Sequence, residues 1–362
     1  MSQQYKRIAV KIGSNVLTRK DGALDVTRMS ALVDQIAELR ENGIEVILIS
    51  SGAVASGRGE LKEAVSRKMD SVDQRQLFSA VGQAKLINRY YELFRDHGIA
   101  CGQVLTTKEN FSTRRHYLNQ KHCMEVMLAN NVIPIVNEND TVSVTELMFT
   151  DNDELSGLIA SMMNMEALII LSNIDGVYDG DPALPGTKLI TDITENDDAS
   201  GGITDTRSSF GRGGMATKYR IATKVASEGT AVIIANGKRE NVLIDLLTPD
   251  APVPHTLFHP SQEAASGLKK WIAHSEDFAK GNITVNEGAA EAILSPVRAS
   301  LLPVGVTGVE GNFEEGDIVS VSGPDGKIIA WGKAGYDADG AREIAGARDA
   351  RPLIHSDYLY ID

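Results

Sequence analysis

The sequence predicts an α/β fold: an open, mostly parallel sheet sandwiched by helices, followed by a small C-terminal, mainly β module. Three observations carry this reading. Short apolar runs at 7–12 (RIAVKI), 46–49 (VILI), 132–136 (VIPIV), 167–171 (ALIIL) and 231–235 (AVIIA) lack the alternation of half-exposed strands. Segments with helical apolar spacing separate them. Beyond Trp271 the pattern changes to short β segments broken by turn-forming glycine pairs.

The first run predicts a strand, and Met29, Leu32, Val33, Ile36 and Leu39 then recur at helical spacing. Asp25 or Thr27 can cap that helix and Gly43 can end it. With the strand at 46–49 this makes a βαβ unit. Further strands are expected at 103–105, 132–136, 167–171 and 231–235, with helices at 118–129, 155–163 and 217–227. The proline-rich stretch 248–262 (TPDAPVPHTLFHPSQ) changes the punctuation, and a boundary is expected around 268–278. The expected division is a first domain at 1–260, a linker at 261–276 and a β module at 277–362. Within the module, strands are expected at 283–285, 301–306, 318–321 and 328–331, punctuated by Gly281-Asn282, Gly311-Asn312, Gly316-Asp317 and Asp325-Gly326.

Bulk chemistry narrows the function. A chain of 362 residues with 42% hydrophobic and 23% charged residues can bury a sizeable core, so disorder is not expected. The net charge of −13 argues against general attraction to nucleic acid or anionic membrane. Two cysteines, Cys101 and Cys123, cannot build a disulfide framework, which suits a reducing compartment. The start MSQQYKRIAVKIG lacks a signal-peptide pattern, and no apolar run reaches membrane-spanning length. A cytoplasmic protein is expected. The seven histidines are scattered, without zinc-ligand spacing.

In an open α/β sheet, ligands bind beyond the carboxyl ends of the strands, so the residues there matter most. Lys11 is costly near the end of a buried strand unless its ammonium reaches water or an anion. The small residues of SSGAVASG, from Ser50 to Gly57, allow close backbone approach to an anionic ligand, or simply a tight strand-to-helix turn. No Walker A loop occurs. Asn137-Glu138-Asn139-Asp140 and Thr150-Asp151-Asn152-Asp153 are polar clusters, and helix capping accounts for one residue in each. Such groups could hold an α-ammonium, orient cationic side chains or bind Mg²⁺. Ser172-Asn173 follows ALIIL. The segment 210–218 (FGRGGMATK) reads as a glycine nest opening a helix, with Lys218 adding charge, or as a threonine-capped flexible loop.

Taken in order, VKIGSNVLT, SSGAVASG, VNEND, FTDNDELS, IDGVYDGDP and GRGGMATK resemble the glutamate 5-kinases of the amino-acid kinase family. From Gly281 through SLLPVGVTGVEGNFEEGDIVSV to Gly346 the chain resembles the PUA domain appended to many of them. The resemblance implies transfer of the ATP γ-phosphoryl group to the glutamate side-chain carboxylate, the first step of proline synthesis. It implies catalytic roles for Lys11 and Lys218, oriented by Asp153. Glutamate would meet Ser51, Gly52, Asn137, Asp140 and Asn152. The nucleotide would meet Lys11, Ser172, Asn173, Arg212, Gly213, Gly214, Met215, Ala216, Thr217 and Lys218. Mg²⁺ would bridge ATP phosphates with few protein ligands. Feedback inhibition by proline at an overlapping site, and a homo-oligomer (dimer or tetramer), are also implied. Ser172-Asn173 departs from the Thr-Asp of many relatives. Acidic side chains outnumber basic ones about twofold from Glu276 onward, a poor balance for RNA backbone binding. The competing expectations are another kinase of this fold, or an RNA-binding regulatory protein acting through the β module.

Overall fold

The structure is a computed structural model that describes residues 5–61, 69–143, 149, 151–195, 214–249, 253–262, 267–274, 278–295 and 299–361. Strands are β1 (Arg7–Ile12), β2 (Glu45–Ser50), β3 (Ala100–Thr106), β4 (Val132–Glu138), β5 (Ala167–Ser172), β6 (Val177–Tyr178), β7 (Leu189–Ile190), β8 (Asp192–Ile193), β9 (Ala231–Asn236), β10 (His255–Phe258), β11 (Gly281–Val285), β12 (Val306–Gly311), β13 (Ile318–Ser322), β14 (Ile328–Lys333) and β15 (Leu359–Ile361). Helices are α1 (Ser14–Leu17), α2 (Val26–Glu41), α3 (Ala53–Glu60), α4 (Ser71–Asp96), α5 (Arg114–Ala129), α6 (Asn152–Met162), α7 (Met215–Ser227), α8 (Val242–Leu246), α9 (Gly267–Ala273), α10 (Glu287–Leu294) and α11 (Ala338–Ile344). Two compact units emerge: Met1–Asn110 with Asn119–Ala264, and Phe111–Leu118 with Ala265–Asp362.

The first unit is built on one sheet in the order β3-β4-β2-β1-β5-β9-β10-β8. The pairings from β3 across to β9 are parallel, and β10 turns antiparallel against β9. The apolar runs found in the sequence are the central strands, and β5 is buried along its whole length. That is the physical reason these strands do not alternate: helices cover both faces. Ile8, Val10, Ile12, Leu48 and Ile169 join Met29, Leu32 and Ile36 of α2 in one apolar core.

Helix α4, absent from the sequence-based expectations, is 26 residues long. Asp70 caps it, accepting from the amides of Val72 and Asp73 at 2.9 and 2.8 Å. Its buried residues Phe78, Gly82, Leu86, Tyr90 and Phe94 recur every fourth position. It crosses α3 at glycines: a Cβ on Gly82 would lie 1.8 Å from the Ala53 carbonyl oxygen, and one on Gly57 1.8 Å from that of Phe78. Backbone therefore packs directly on backbone.

The second unit contains a sheet in the order β12-β11-β13-β14-β15, with β11 and β13 parallel and the other pairs antiparallel. Its core includes Ile283, Val285, Phe313, Val319, Val321 and Leu353. The Trp271 indole donates to the Phe111 carbonyl at 3.0 Å. Two local expectations are corrected. The strand expected at 301–306 is interrupted: Leu301 makes an isolated bridge with Ile354, a 3₁₀ turn covers Pro303–Gly305, and β12 starts only at Val306. Pro303 has no N–H to give a ladder. Gly281-Asn282 is not a turn but the start of β11, where Gly281 faces Gly311. The C-terminal β15 pairs antiparallel with β14. Among the described residues no helix is long and apolar enough to cross a membrane.

Candidate active site

A cleft of about 500 Å³ opens beyond the carboxyl ends of β1, β2, β4 and β5, within the first unit. Lys11, Ser51, Gly52, Asn137, Asp140, Asn152, Asp153, Ser172, Asn173 and Lys218 all line it. Gly214 caps α7 in an extended conformation, and Met215, Ala216 and Thr217 form the first turn that leads to Lys218, without lining the cleft themselves. Arg212 and Gly213 lie outside the described residues.

One carboxylate organises the chemistry at one end. Asp153, in the first turn of α6, is 1% exposed. Its Oδ1 accepts from the Lys11 ammonium, and its Oδ2 lies 2.9 Å from the Lys218 ammonium. Burial pushes the Asp153 carboxyl up, but the two ammonium groups more than offset this and hold it at about 2. Three charges from β1, α6 and α7, far apart in sequence, thus form one ion triad with a net charge of +1. Gly13 lies beside it: its amide donates to the Leu171 carbonyl at 3.0 Å, and a Cβ there would stand 3.0 Å from the same oxygen and 3.7 Å from Lys11 Nζ.

Asp151 caps α6, with Oδ1 accepting from the amides of Asp153 and Glu154 at 2.8 and 3.0 Å. Its Oδ2 is buried at the cleft and has no hydrogen-bond partner among the described residues. Burial and the neighbouring Asp153 push this carboxyl up. On the other side, Gly52 takes a left-handed φ of 105°, natural only to glycine, and starts α3. The first-turn amides of Ala53, Val54 and Ala55 have no intrahelical acceptors, and these residues line the cleft. Such a helix start has the amides and the dipole direction that favour an anion.

Polar side chains set the rest of the wall. The Asn152 amide nitrogen lies 3.0 Å from Ser51 Oγ and 3.1 Å from Asn137 Oδ1. Asn137 Nδ2 donates to Gln83 Oε1 at 2.8 Å. Arg75 approaches Asp140 Oδ1 at 2.7 Å, and Ser79 Oγ donates to Asp140 Oδ2 at 3.4 Å. Tyr90 Oη lies 2.8 Å from Ser50 Oγ, next to Ser51. Arg75, Ser79, Gln83 and Tyr90 all come from α4, so the helix missed in the sequence braces the strand-end residues found there. Arg58 and Arg75 also line the cleft, and sequence reasoning singled out neither. The available signal was the fourfold spacing of 78, 82, 86, 90 and 94, which predicts a helix facing the sheet.

Comparisons with known proteins identify the family. The model of the Amino acid kinase family matches residues 6–236, and that of the PUA domain matches residues 281–353. A glutamate 5-kinase of Bacteroides thetaiotaomicron is 66% identical over 362 residues, covering 100% of both chains. One from Chlorobaculum tepidum is 45% identical, covering 99% of this chain and 98% of its own. One from Myxococcus xanthus is 40% identical, over 99% and 93%. Among solved structures, carbamate kinase from Giardia lamblia bound to AMP-PNP superposes with a TM-score of 0.51 at 16% identity, covering 71% of this chain and 99% of that one. Isopentenyl phosphate kinase of T. acidophilum gives 0.50 at 15% identity, over 70% and 100%. At such identities the two structures speak for the fold alone. The chain belongs to the amino acid kinase family, among its glutamate 5-kinases, with a C-terminal PUA domain.

Proposed function

We propose that the protein transfers the γ-phosphoryl group of ATP to the side-chain carboxylate of L-glutamate, yielding γ-glutamyl phosphate and ADP, the first step of proline biosynthesis. The observation that carries the chemistry is the triad in which Lys11 and Lys218 share Asp153. A carboxylate oxygen of glutamate attacks the γ-phosphorus, the bond from that phosphorus to the β–γ bridging oxygen breaks, and the electron pair leaves with ADP. The acceptor is already ionised at neutral pH, so no general base is required. Catalysis rests on positioning and on neutralising charge spread over the migrating group.

In this reading Lys11 and Lys218 neutralise that charge, and Asp153 fixes their direction. Ser51, Gly52, Asn137, Asp140 and Asn152 receive glutamate. Ser172, Asn173 and the segment 212–218 receive the nucleotide. Among the described residues no three His, Cys, Asp or Glu side chains converge on a metal position. The spare Asp151 Oδ2 supplies a hard oxygen ligand of the kind Mg²⁺ prefers. Asp151 is therefore the residue that would hold Mg²⁺, which when bound adds positive charge to the ATP phosphates. Proline is the proposed feedback inhibitor, at a site overlapping that of glutamate, and the proposed state is a cytoplasmic homo-oligomer, dimer or tetramer. These points rest on the family resemblance.

Glutamate-dependent ADP release in the presence of Mg²⁺, with γ-glutamyl hydroxamate formed when hydroxylamine is added, is the test. ATP turnover that is indifferent to glutamate but responds to another acceptor in a substrate panel would replace the assignment.

A further inference from the structure

We propose that Arg75 anchors the α-carboxylate of the substrate, so that the Arg75–Asp140 pair recognises the head group of an α-amino acid. The inference rests on the glutamate reading above and extends it to a residue outside the strand-end motifs.

The argument is one of charge. Glutamate brings two carboxylates and one ammonium into a cleft lined by Glu138, Asp140, Asp151 and Asp153. The side-chain carboxylate goes to the phosphoryl end, where Lys11 and Lys218 already share Asp153. The α-carboxylate then needs a cation of its own, because an uncompensated anion among carboxylates is strongly disfavoured. The remaining cations among the cleft-lining residues are Arg58 and Arg75. Arg58 is exposed, with its guanidinium 5.6 Å from the centre of the Phe78 ring. The Arg75 side chain is only 17% exposed and lies 2.7 Å from Asp140 Oδ1 and 3.9 Å from Glu138 Oε1.

A guanidinium beside a carboxylate is the amino-acid head group with its signs reversed. The planar fork of Arg75 matches a carboxylate, and Asp140 accepts from an ammonium. A buried ion pair returns little stability for its desolvation, so stability alone gives weak reason for this pair. The pair is also held in place. Arg75 sits one turn inside α4, behind the Asp70 cap, and Ser79 of the same helix reaches the other Asp140 oxygen.

The test compares L-glutamate with its α-amide, L-isoglutamine, which keeps the side-chain carboxylate and the α-ammonium but has a neutral carboxamide in place of the α-carboxylate. Steady-state ADP release is measured for the wild type, Arg75→Gln and Arg75→Lys. Arg75→Gln is expected to raise the glutamate KM about 10- to 100-fold, the scale of one charge-assisted contact. Its kcat should stay within about threefold and its KM for ATP should be unchanged, which also reports a folded nucleotide site. The wild-type preference for glutamate over the α-amide should collapse in Arg75→Gln and partly return in Arg75→Lys. If Arg75→Gln loses equally on both substrates, so that the preference stands, Arg75 only supports Asp140 and the proposal is overturned. A wild-type enzyme inert on glutamate would instead overturn the substrate reading, and this assignment with it.

Discussion

The two ends of the cleft solve different electrostatic problems with the same kinds of group. At one end two lysines lean on one carboxylate, Asp153, leaving a net charge of +1. At the other, the single guanidinium of Arg75 lies within 4 Å of two carboxylates, Asp140 and Glu138, so these groups leave no positive surplus. The surplus at the lysine end suits a migrating phosphoryl group, whose negative charge must be neutralised as it moves. The lack of a surplus at the arginine end suits a head group that brings its own ammonium along with its carboxylate. On the proposed reading, residual charge after pairing, not the number of cations, separates the catalytic end from the recognition end.

That comparison can be broken most severely at the lysine end. Lys218→Ala is expected to lower kcat at least about a hundredfold, the usual cost of removing one charge-stabilising group. The glutamate KM should change little, the reverse of the pattern expected for Arg75→Gln. Near-normal turnover by ADP release would remove Lys218 from the mechanism.

The recognition end depends on where α4 lies. Gly82→Ala would place a Cβ 1.8 Å from the Ala53 carbonyl oxygen and 2.4 Å from the Gly57 amide nitrogen. A stability loss of about 1–3 kcal/mol in urea unfolding is expected, as for other overpacked sites. A raised glutamate KM should accompany it. Unchanged stability and kinetics would mean that the two helices do not cross so closely.

A control lies in the second unit, which contributes no residue to the cleft lining. Asn282 Oδ1 accepts from Ser320 Oγ and Ser322 Oγ at 2.9 and 2.7 Å. Asn282→Ala should cost about 1–2 kcal/mol, the net worth of two ordinary hydrogen bonds, and leave kcat and KM unchanged. A kinetic change in that variant would show that the PUA unit influences the reaction.

The smallest expected effect is one of pH. Asp153 is held at about 2, below the usual value of 3.8, so its contribution to stability is present above the unfolded value. It is complete above about pH 4 and disappears as pH falls through about 2. The stability difference between wild type and Asp153→Asn should therefore be flat from neutral pH down to about pH 4 and shrink below it. A difference that already shrinks near pH 6 would contradict the depressed value.

Much of this site was legible because motifs at strand ends are written continuously. Lys11 follows β1, Ser51 follows β2, Asn137 and Asp140 follow β4, and Asn152 and Asp153 open α6. A parallel sheet brings such points together by its topology. The opposite wall was not legible in the same way. Arg75, Ser79, Gln83 and Tyr90 are spread through α4 among ordinary helical neighbours, and only their polar contacts with Ser50, Asn137 and Asp140 at the strand ends give them a role. The β module was legible in outline only. Pro303 cut an apolar run that reads as a strand, and Gly281-Asn282 reads as a turn but begins one. In both cases pairing with a distant segment outweighed the local signal.

The glycine crossing of α3 and α4 has a mechanical consequence. With no side chains cushioning the contact, a small tilt of one helix must be passed to the other. One of these helices turns its opening amides toward the cleft, and the other carries the guanidinium assigned to the amino acid. A ligand seated against the start of α3 is therefore geared through bare backbone to the position of Arg75 on α4.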